Sequence, residues 1–327
     1  MSAHLAVAIV ASDAADALAQ ARSLPSDVTL VEYRLDMMTT IDVQALAEQT
    51  PLPAIFTCRP VSQGGGFDGP ETERRVILKQ ALTAGGVVDI EMEALPALAP
   101  FIVDPARVIG SHHDFGGMLR GWGELSRRIR DLGAGVAKLV GMAASEADAL
   151  PPLAWLAHED RPAIAIAMGP AGVATRLLAP RFPAAFLTFA SLAVTSAPGQ
   201  INVREFVERY GFRRIAGANP LLILLTPSPV PWEQVQRYRR AMKRRFSDAA
   251  WLLPVPVETF HPGLLQALRL ARVSGIVRTP GVEVSADLQA HGLDIHAHAW
   301  DVSRPSFTSF PDYSDADALM AFFSQGI

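Results

Sequence analysis

The sequence predicts an α/β fold in which eight parallel strands, each followed by a helix, close into a (β/α)8 TIM barrel, with a smaller α/β domain behind it. Short apolar or β-branched runs alternate with amphipathic runs through roughly the first 210 residues, the pattern of a parallel, helix-wrapped sheet. Eight such repeats suffice to close a barrel, although an open, doubly wound sheet is the alternative. Beyond Ala216 the pattern restarts, which predicts two domains, 1–215 and 216–327.

The predicted strands are short and rich in apolar residues. In the barrel they are Leu5–Val10, Val28–Leu35, Pro53–Arg59, Gly86–Glu91, Arg107–Ser111, Val136–Val140, Ala163–Ala167 and Ala185–Phe189. Intervening amphipathic runs predict helices over Ala14–Ser23, Glu71–Thr83, Leu119–Leu132 and Glu146–Ala157. In the second domain, strands are predicted over Leu221–Thr226, Trp251–Val257, Gly275–Thr279 and Asp294–Trp300, with helices over Trp232–Phe246 and Pro262–Arg272.

The composition predicts a soluble, folded protein that binds neither nucleic acid nor membranes. Half of the 327 residues are hydrophobic and 19% are charged, which is ample apolar material for a core. The net charge of −4 provides no basic excess for nucleic acid. No apolar run of about 18 residues is present. The single cysteine, Cys58, allows no internal disulfide and fits a reducing cytoplasm.

Lysine is scarce in this chain, and Lys138 lies in an unusual place for one. Of 29 basic residues only Lys79, Lys138 and Lys243 are lysines. Lys138 falls within the predicted strand Val136–Val140, where burial would disfavour the charged form of an amine. A neutral amine is the form that attacks a ketone. The alternatives are an amine that reaches solvent from the strand end, or one paired with a carboxylate inside the barrel.

Two adjacent histidines follow the strand predicted over Arg107–Ser111. An imidazole at the carboxyl end of a strand can take up and release a proton near neutral pH, so His113 is a candidate general base. An ordinary loop histidine is the alternative. Neighbouring residues of an extended chain face opposite ways, so His112 and His113 are not expected to share a metal ion.

Several charged residues fall at the carboxyl ends of predicted strands. Glu32 and Arg34 lie two residues apart, hence on one face of a strand. Arg59 ends the next strand, and Arg176 follows the strand over Ala163–Ala167. Arginines grouped in this way would suit a ligand with a carboxylate and hydroxyls. A structural network of ion pairs is the alternative.

Three other patterns are interpreted as structural. The run Gly64–Gly69 fits G-x-G-x-x-G, but a dinucleotide-binding turn follows its strand directly and this run does not. His296 and His298 have the spacing of metal ligands without an evident partner set. The basic residues between Arg237 and Arg245 predict a solvated helix face.

Several short motifs occur in a fixed order along residues 4–212. They are Glu32-Tyr-Arg34-Leu-Asp36, Phe56-Thr-Cys-Arg59, Asp89-Ile-Glu91, Ser111-His-His113-Asp-Phe115, Lys138, Met168-Gly169, Arg176 and Ser196-Ala-Pro-Gly-Gln200. Each motif is modest, but their order and spacing together resemble type I 3-dehydroquinate dehydratases. The resemblance implies a (β/α)8 barrel with its active site at the carboxyl ends of the strands, in agreement with the strand count.

The resemblance also implies a catalytic set of Lys138, His113 and Gln63. Lys138 would form an imine with the C3 ketone of 3-dehydroquinate, and His113 would remove the C2 proton and protonate the departing C1 hydroxyl. The family normally has a glutamate where this chain has Gln63, so the carboxylate that would orient the histidine is replaced by a neutral amide. We therefore expect a slower enzyme, or one whose histidine titrates at lower pH.

The resemblance further assigns the residues that would bind substrate, which are Glu32, Arg34, Arg59, Arg176, Ser196 and Gln200. Arg176 would bind the carboxylate, Ser196 and Gln200 would lie on a loop that closes over the site, and the other three would hold ring hydroxyls or one another. Because the imine itself is the electron sink, neither a metal nor an organic cofactor is implied. Family precedent implies a homodimer.

Residues 216–327 contain Thr226-Pro-Ser228-Pro229 and two later strand motifs that resemble a degenerate substrate-binding half of shikimate dehydrogenase. The position of that family's catalytic lysine is occupied by Val282, and its His-Asn pair is missing after Pro229. No nucleotide-binding domain is predicted to follow. Dehydrogenase activity is therefore not expected.

The leading interpretation is a lyase that converts 3-dehydroquinate to 3-dehydroshikimate in the shikimate pathway of aromatic amino acid biosynthesis. Three alternatives stay open at this point: a bifunctional dehydratase and shikimate dehydrogenase, a catalytically weakened protein that binds pathway metabolites, and another imine-forming barrel such as an aldolase. Gln63 and the eroded C-terminal motifs motivate the second of these.

Overall fold

The structure is a computed structural model that describes residues 3–192, 197–246, 250–278 and 281–290, and its first eight strands form a barrel. They are β1 (His4–Ile9), β2 (Leu30–Arg34), β3 (Ala54–Thr57), β4 (Val87–Glu91), β5 (Val108–Asp114), β6 (Val136–Met142), β7 (Ala163–Met168) and β8 (Leu187–Ser191). All neighbouring strands pair in parallel, in the order β7-β6-β5-β4-β3-β2-β1-β8.

The ring is joined between β7 and the chain that leads into β8. The Phe186 amide donates to the Ala163 carbonyl at 2.8 Å, and the Ala163 amide donates to the Ala184 carbonyl at 2.8 Å. These bonds lie at the amino ends of the two strands. The sheet therefore curls round on itself, and the predicted α/β barrel is confirmed, as are all eight predicted strands to within a few residues at their ends.

The carboxyl ends of β7 and β8 are separated by a short additional strand, β9 (Ile201–Asn202), which pairs with β8 on its free edge. The chain just before β9 also reaches β7, since the Gly169 amide donates to the Pro198 carbonyl at 3.3 Å. Gly199 has φ +74°, and a Cβ there would lie 2.4 Å from the Gly169 carbonyl oxygen. Only glycine allows residues 197–200 to pass this close to the end of β7.

Helices cover the outside of the ring. They are α1 (Ala14–Arg22), α2 (Val43–Gln49), α3 (Glu71–Ala84), α4 (Leu95–Leu98), α5 (Trp122–Asp131), α6 (Leu150–His158), α7 (Val173–Leu178) and α8 (Phe212–Ala216). Asp13 caps α1 by accepting from the Asp16 amide at 2.9 Å. The helix predicted from Leu119 begins only at Trp122, because Gly121 adopts a left-handed conformation with φ +67°.

The barrel interior changes character along its axis. Alternate residues of each strand point inward, and near the amino ends these are apolar, including Ala6, Leu30, Ile55, Ile109 and Val136. Near the carboxyl ends of β2 to β6 the inward positions carry charged or hydroxyl side chains instead. The apolar layers form a floor, and the polar layer above it forms the site.

The C-terminal region (residues 216–290 of the described chain) forms its own small sheets. Its elements are β10 (Leu221–Thr226), α9 (Trp232–Phe246), β11 (Trp251–Pro256), β12 (Thr259–Phe260), α10 (Pro262–Leu270), β13 (Gly275–Arg278), β14 (Glu283–Val284) and α11 (Ala286–Ala290). A parallel sheet has the order β11-β10-β13, and β12 pairs with β14. The strand predicted over Asp294–Trp300, with His296 and His298, lies outside the described residues.

The C-terminal region packs on the outer helices of the barrel. The Glu258 amide donates to Glu146 Oε1 at 2.8 Å, and Arg181 Nη1 donates to the Gly217 carbonyl at 2.6 Å. Gly263 of α10 approaches Ala147 so closely that a Cβ would lie 2.8 Å from its carbonyl oxygen. One apolar cluster runs through both parts. In the portions of the chain that the structure describes, no helix combines the length and apolarity needed to cross a membrane.

Candidate active site

Eight of the nine predicted site residues line a single cavity at the carboxyl ends of the strands. They are Glu32, Arg34, Arg59, Gln63, His113, Lys138, Arg176 and Gln200. The ninth, Ser196, lies outside the described residues. The same cavity is lined by residues that the sequence analysis did not select, among them Thr57, Phe115, Ile166, Met168, Phe189 and Pro198.

Lys138 projects from the middle of β6 into the barrel and is 5% exposed. Its Nζ donates to Asp89 Oδ2 at 2.7 Å and lies 3.8 Å from Glu32 Oε1. It also lies 4.9 Å from the centre of the Phe189 ring. Of the interpretations considered for Lys138, the pairing with a carboxylate inside the barrel describes the contacts of its amine.

Asp89 is the residue of this site that sequence reasoning missed. It is fully buried in β4, where Oδ1 lies 2.9 Å from Arg59 Nη2 and accepts a hydrogen bond from Ser111 Oγ at 2.6 Å. Burial alone would raise its pKa, but Arg59 and Lys138 together hold the pKa of this carboxyl well below its ordinary value. The available signal was the Asp89-Ile-Glu91 pattern itself, which places two carboxylates on the inward face of a buried strand.

Arg59 belongs to a layer of paired charges beneath the cavity. Its Nη1 donates to Glu91 Oε1 at 2.8 Å and to Ser111 Oγ at 2.8 Å. Arg74, on α3, donates to the other oxygen of Glu91 and to the Cys58 carbonyl at 2.9 Å. Strand register explains the grouping, since Glu91 pairs with Ser111 and Ser111 pairs with Lys138 on adjacent strands. The ion-pair network considered as an alternative describes Arg59 well.

Glu32 and Arg34, both inward from β2, are also held by neighbours. Glu32 Oε1 accepts from Thr57 Oγ1 at 2.7 Å. Arg34 donates to both oxygens of Asp36, from Nε at 2.9 Å and from Nη2 at 2.6 Å. Asp36 also accepts from the Gly66 amide at 2.9 Å, which ties the glycine-rich loop to this edge of the cavity.

His113 lies at the carboxyl end of β5, where its ring stacks on Phe115 with centroids 6.1 Å apart and planes 11° from parallel. Its Nδ1 is buried and has no hydrogen-bond partner among the described residues. Burial, reinforced by the nearby cations Arg59 and Lys138, lowers the pKa of His113 well below its ordinary value. The imidazole is therefore neutral at physiological pH and available to accept a proton.

Gln63 ends a single helical turn after β3, and its side chain lines the cavity without a hydrogen bond to His113. Its Oε1 is buried and has no partner within the part of the chain described. The following Gly64 has φ +73°, and a Cβ there would lie 2.3 Å from the Phe115 ring. The loop can thus pass beneath Phe115 only with glycine at this position.

Arg176, at the end of α7, is 2% exposed and has few partners. Its Nη2 donates to the Pro198 carbonyl at 3.3 Å. Among the described residues its Nε has no partner, and no carboxylate lies within 4.0 Å of the guanidinium. Burial lowers the pKa of this guanidinium to about 10, so it stays charged at neutral pH. Beside it, the Gln200 side-chain carbonyl accepts from the Ala197 amide at 3.2 Å.

This geometry can be compared with known proteins. The model of the family described as "Type I 3-dehydroquinase" matches residues 5–216, which is most of the chain and all of the barrel. The chain belongs to the type I 3-dehydroquinase family. The predicted family and enzyme class are thereby confirmed, whereas the match ends before β10 and does not extend to the C-terminal region.

Two relatives of this type I 3-dehydroquinase illustrate the range of similarity. The 3-dehydroquinate dehydratase of Methanothrix thermoacetophila is 35% identical over 202 residues, covering 61% of this chain and 88% of that protein. The bifunctional 3-dehydroquinate dehydratase/shikimate dehydrogenase of Arabidopsis thaliana chloroplasts is 31% identical over 199 residues, covering 57% of this chain. The match spans only 33% of the length of the Arabidopsis protein.

Solved structures agree with the fold. The 3-dehydroquinate dehydratase of Geobacillus kaustophilus is 26% identical, with a TM-score of 0.56 over 65% of this chain and 90% of that one. The dehydroquinate dehydratase and shikimate dehydrogenase of S. pombe AroM is 22% identical with a TM-score of 0.56, and covers 86% of this chain and 57% of that one. At that identity the second match describes the fold alone.

Taken as chemistry, the type I 3-dehydroquinase cavity combines three different capacities. An amine on Lys138 can condense with a carbonyl, a neutral imidazole on His113 can take up a proton, and the buried guanidinium of Arg176 has no anionic partner among the residues that the structure describes. Within the described residues no three histidine, cysteine, aspartate or glutamate side chains are grouped as metal ligands would be.

Proposed function

We propose that this chain dehydrates 3-dehydroquinate to 3-dehydroshikimate through an imine on Lys138. The observation that carries the proposal is the shared cavity of Lys138, His113 and Arg176, whose three groups suit the ketone, the α-proton and the carboxylate of one small ring. The family match supports the reaction, and the geometry supports the assignment of roles.

The proposed reaction has four steps. Lys138 Nζ attacks the C3 carbonyl carbon, and the carbonyl oxygen leaves as water after taking up two protons, which leaves a protonated imine. His113 removes the C2 proton, and the electron pair moves into the C2–C3 bond as the imine becomes an enamine. The enamine expels the C1 hydroxyl, to which His113 returns its proton. Water then hydrolyses the imine, which releases product and regenerates the amine.

The substrate contacts follow from which charges are already paired. Arg176 lacks an anion and would bind the carboxylate in a charge-assisted, two-point contact. Glu32 and Arg34 line the cavity and would hold ring hydroxyls with the oxygens and nitrogens that their neighbours leave available. We assign Arg59 to the support of Asp89 rather than to substrate. Gln200 and Ser196 would complete the site from the loop before β9.

The proposal is tested by the formation of dehydroshikimate and by borohydride trapping. Purified protein mixed with 3-dehydroquinate should develop the conjugated product's ultraviolet absorbance, and borohydride should fix a reduced adduct on Lys138 that mass spectrometry locates. Lys138→Met should lower turnover by at least about 10⁴-fold and abolish the adduct, because the electron sink is lost. Lys79→Met, on α3 with its amine 4.0 Å above the Phe101 ring, is the matched control and should retain both.

Other results would favour other functions. Tight binding of 3-dehydroquinate without product or adduct would indicate a metabolite-binding protein, as the neutral Gln63 allows. An adduct accompanied by cleavage of a carbon–carbon bond would indicate an aldolase. Either outcome would refute the proposed dehydration.

We further propose a domain boundary at residues 215/216 and a C-terminal region derived from the substrate-binding half of a shikimate dehydrogenase. The restart of a parallel sheet at β10, the Thr226–Pro229 motif and the coverage of the S. pombe structure support it. Val282, at the position of the catalytic lysine in the resemblance, is buried at 1% exposure. We therefore expect no shikimate oxidation with NADP.

The homodimer and the cytoplasmic location stay predictions. Sedimentation of the purified chain at several concentrations would decide the first, with a mass of twice 35.1 kDa expected. The buried and solitary Cys58 is compatible with the second.

A further inference from the structure

The proposed imine requires an anion that hydrogen bonds to its nitrogen, and among the described residues no carboxylate of the cavity lining lies close enough to Lys138 Nζ to do so. A protonated imine carries a full positive charge in a buried place, where an unpaired charge is strongly destabilised. Two carboxylates lie near Lys138 Nζ, Glu32 Oε1 at 3.8 Å and Asp89 Oδ2 at 2.7 Å. Of these, only Asp89 is within hydrogen-bond distance.

We propose that Asp89 is the positioning residue of Lys138, and that its carboxylate aims the amine at the substrate and neutralises the protonated imine that forms there. The proposal rests on the proposed imine chemistry and extends it to a residue that does not line the cavity. Asp89 acts from beneath the cavity, through Lys138, and has no contact of its own with the substrate.

Three features suit Asp89 to this role. It has no exposed surface, so solvent does not screen its charge. Its Oδ1 is occupied by Arg59 at 2.9 Å and by Ser111 at 2.6 Å, which fixes the carboxylate plane and leaves Oδ2 for Lys138. Arg59 is fixed in turn by Glu91, so the orientation of the carboxylate is determined by the barrel wall.

The geometry also fits the state after condensation. The nitrogen of the protonated imine is bonded to two carbons and keeps one proton. In a buried site this N–H group needs a hydrogen-bond acceptor. Asp89 Oδ2 already lies 2.7 Å from this nitrogen in the free protein, within reach of such a hydrogen bond. The carboxylate can therefore stabilise the amine before the reaction and the iminium during it, without moving.

The other charged or titratable groups that face Lys138 come from several strands. Glu32 lies on β2, Arg59 just after β3 and His113 on β5, and the centre of the Phe189 ring on β8 lies 4.9 Å from the amine. Asp89 differs from all of these in making the direct hydrogen bond. Its removal should consequently change the protonation of Lys138 more than removal of any other carboxylate in the layer.

Direct titration of the amine tests the proposal. Because the chain has only three lysines, protein labelled with ¹³C at lysine Cε gives few signals, and the variant Lys138→Met assigns the relevant one. In Asp89→Asn the pH at which the Lys138 signal titrates should fall by about one to three units, since an opposing charge is lost. The matched control Glu91→Gln also removes a buried carboxylate from Arg59, and should shift that midpoint by less than roughly half a unit.

Turnover gives the second readout. Asp89→Asn should lower kcat by about 100-fold with KM changed by less than about threefold, and should reduce the borohydride adduct on Lys138. An unchanged Lys138 titration, a shift equal to that of Glu91→Gln, or an undiminished kcat would overturn the proposal.

A charge-preserving variant guards against a folding defect. If Asp89→Asn fails to fold, as circular dichroism would show, Asp89→Glu takes its place. It retains the anion but displaces it, so the Lys138 midpoint should stay within roughly half a unit while kcat falls by at least about tenfold. Full kcat in this variant would overturn the positioning role. Absence of product with the unaltered protein would refute the proposed function instead, and would leave the titration result to stand by itself.

Discussion

The two sides of the cavity treat buried charge in opposite ways. On the β4–β6 side, Asp89 is shared between Lys138 and Arg59, and each of these charges has a partner within 2.9 Å. On the α7 side, Arg176 is as deeply buried, yet its contacts among the described residues are a 3.3 Å hydrogen bond to a backbone carbonyl and no carboxylate.

We therefore interpret the cations around Asp89 as paired within the protein, and propose that Arg176 pairs with a bound ligand. A buried charge is destabilising unless it is paired, and the charges of Asp89, Lys138 and Arg59 are already paired in the free protein. Arg176 has no such partner among the described residues, and a bound carboxylate would supply one. The comparison therefore predicts opposite effects on KM and on stability when two equally buried arginines, Arg176 and Arg74, are replaced.

The largest effect is expected for Arg176→Met. Loss of the charge-assisted contact to the substrate carboxylate should raise KM for 3-dehydroquinate by about 100-fold, as steady-state kinetics would measure. Because methionine removes a buried charge that has no counter-ion, the thermal midpoint of the free protein should not fall and is expected to rise. An unchanged KM together with a lower midpoint would mean that Arg176 is structural.

Arg74→Met should lower the stability of the protein and leave KM for 3-dehydroquinate nearly unchanged. It breaks a buried pair with Glu91, of which both side chains are about 3% exposed, and should lower the free energy of unfolding by about 3 kcal/mol. Urea denaturation followed by circular dichroism measures this. KM should change by less than about threefold, since Arg74 does not line the cavity. A variant that is as stable as the parent would count against the layer of paired charges.

The smallest effect is expected for Gln63→Glu. A carboxylate beside His113 favours the charged imidazole, so the pKa of that histidine should rise from its lowered position. The base must be neutral to accept the C2 proton, so the acid limb of kcat/KM should move to higher pH by about one unit. Above that limb, turnover should increase by up to about tenfold, because the carboxylate orients the ring and stabilises its charged form.

The pH profile of the unaltered protein sharpens the same point. With the pKa of His113 well below 6.5, kcat/KM should stay nearly flat as the pH falls from 7 to 6. A limb near 6.5 in the unaltered protein, or a limb that does not move in Gln63→Glu, would contradict the assignment of His113 as the base next to Gln63.

The barrel was predictable because its signals are local. Alternating inward and outward residues along β2 and β4, and the regular spacing of strands and helices, are visible without knowledge of distant contacts. Residues at or just after strand ends, such as Arg59 and His113, could be selected as site candidates because the carboxyl ends of parallel strands meet at one face.

The pairing of these residues was not predictable from the sequence. That Lys138 meets Asp89 depends on the register of β4, β5 and β6, which is set by packing around the whole ring. The late start of α5 depends on the left-handed conformation of Gly121, which amphipathic periodicity does not register. Neither can the sequence show that Gln63 makes no hydrogen bond to the imidazole, since this follows from the path of one loop.

Residues 197–202, which include the short strand β9, both close the barrel wall and line the cavity. At the amino ends of β7 and β8 the hydrogen bonds of Phe186 and Ala163 close the barrel wall. At the carboxyl ends, Pro198 and Ile201 fill the gap between these two strands. Residues 197–202 are thus part of the barrel wall and would also contact a ligand bound in the cavity. An insertion there would widen the barrel itself, and a side chain at Gly199 would do the same, since its Cβ would lie 2.4 Å from the Gly169 carbonyl oxygen.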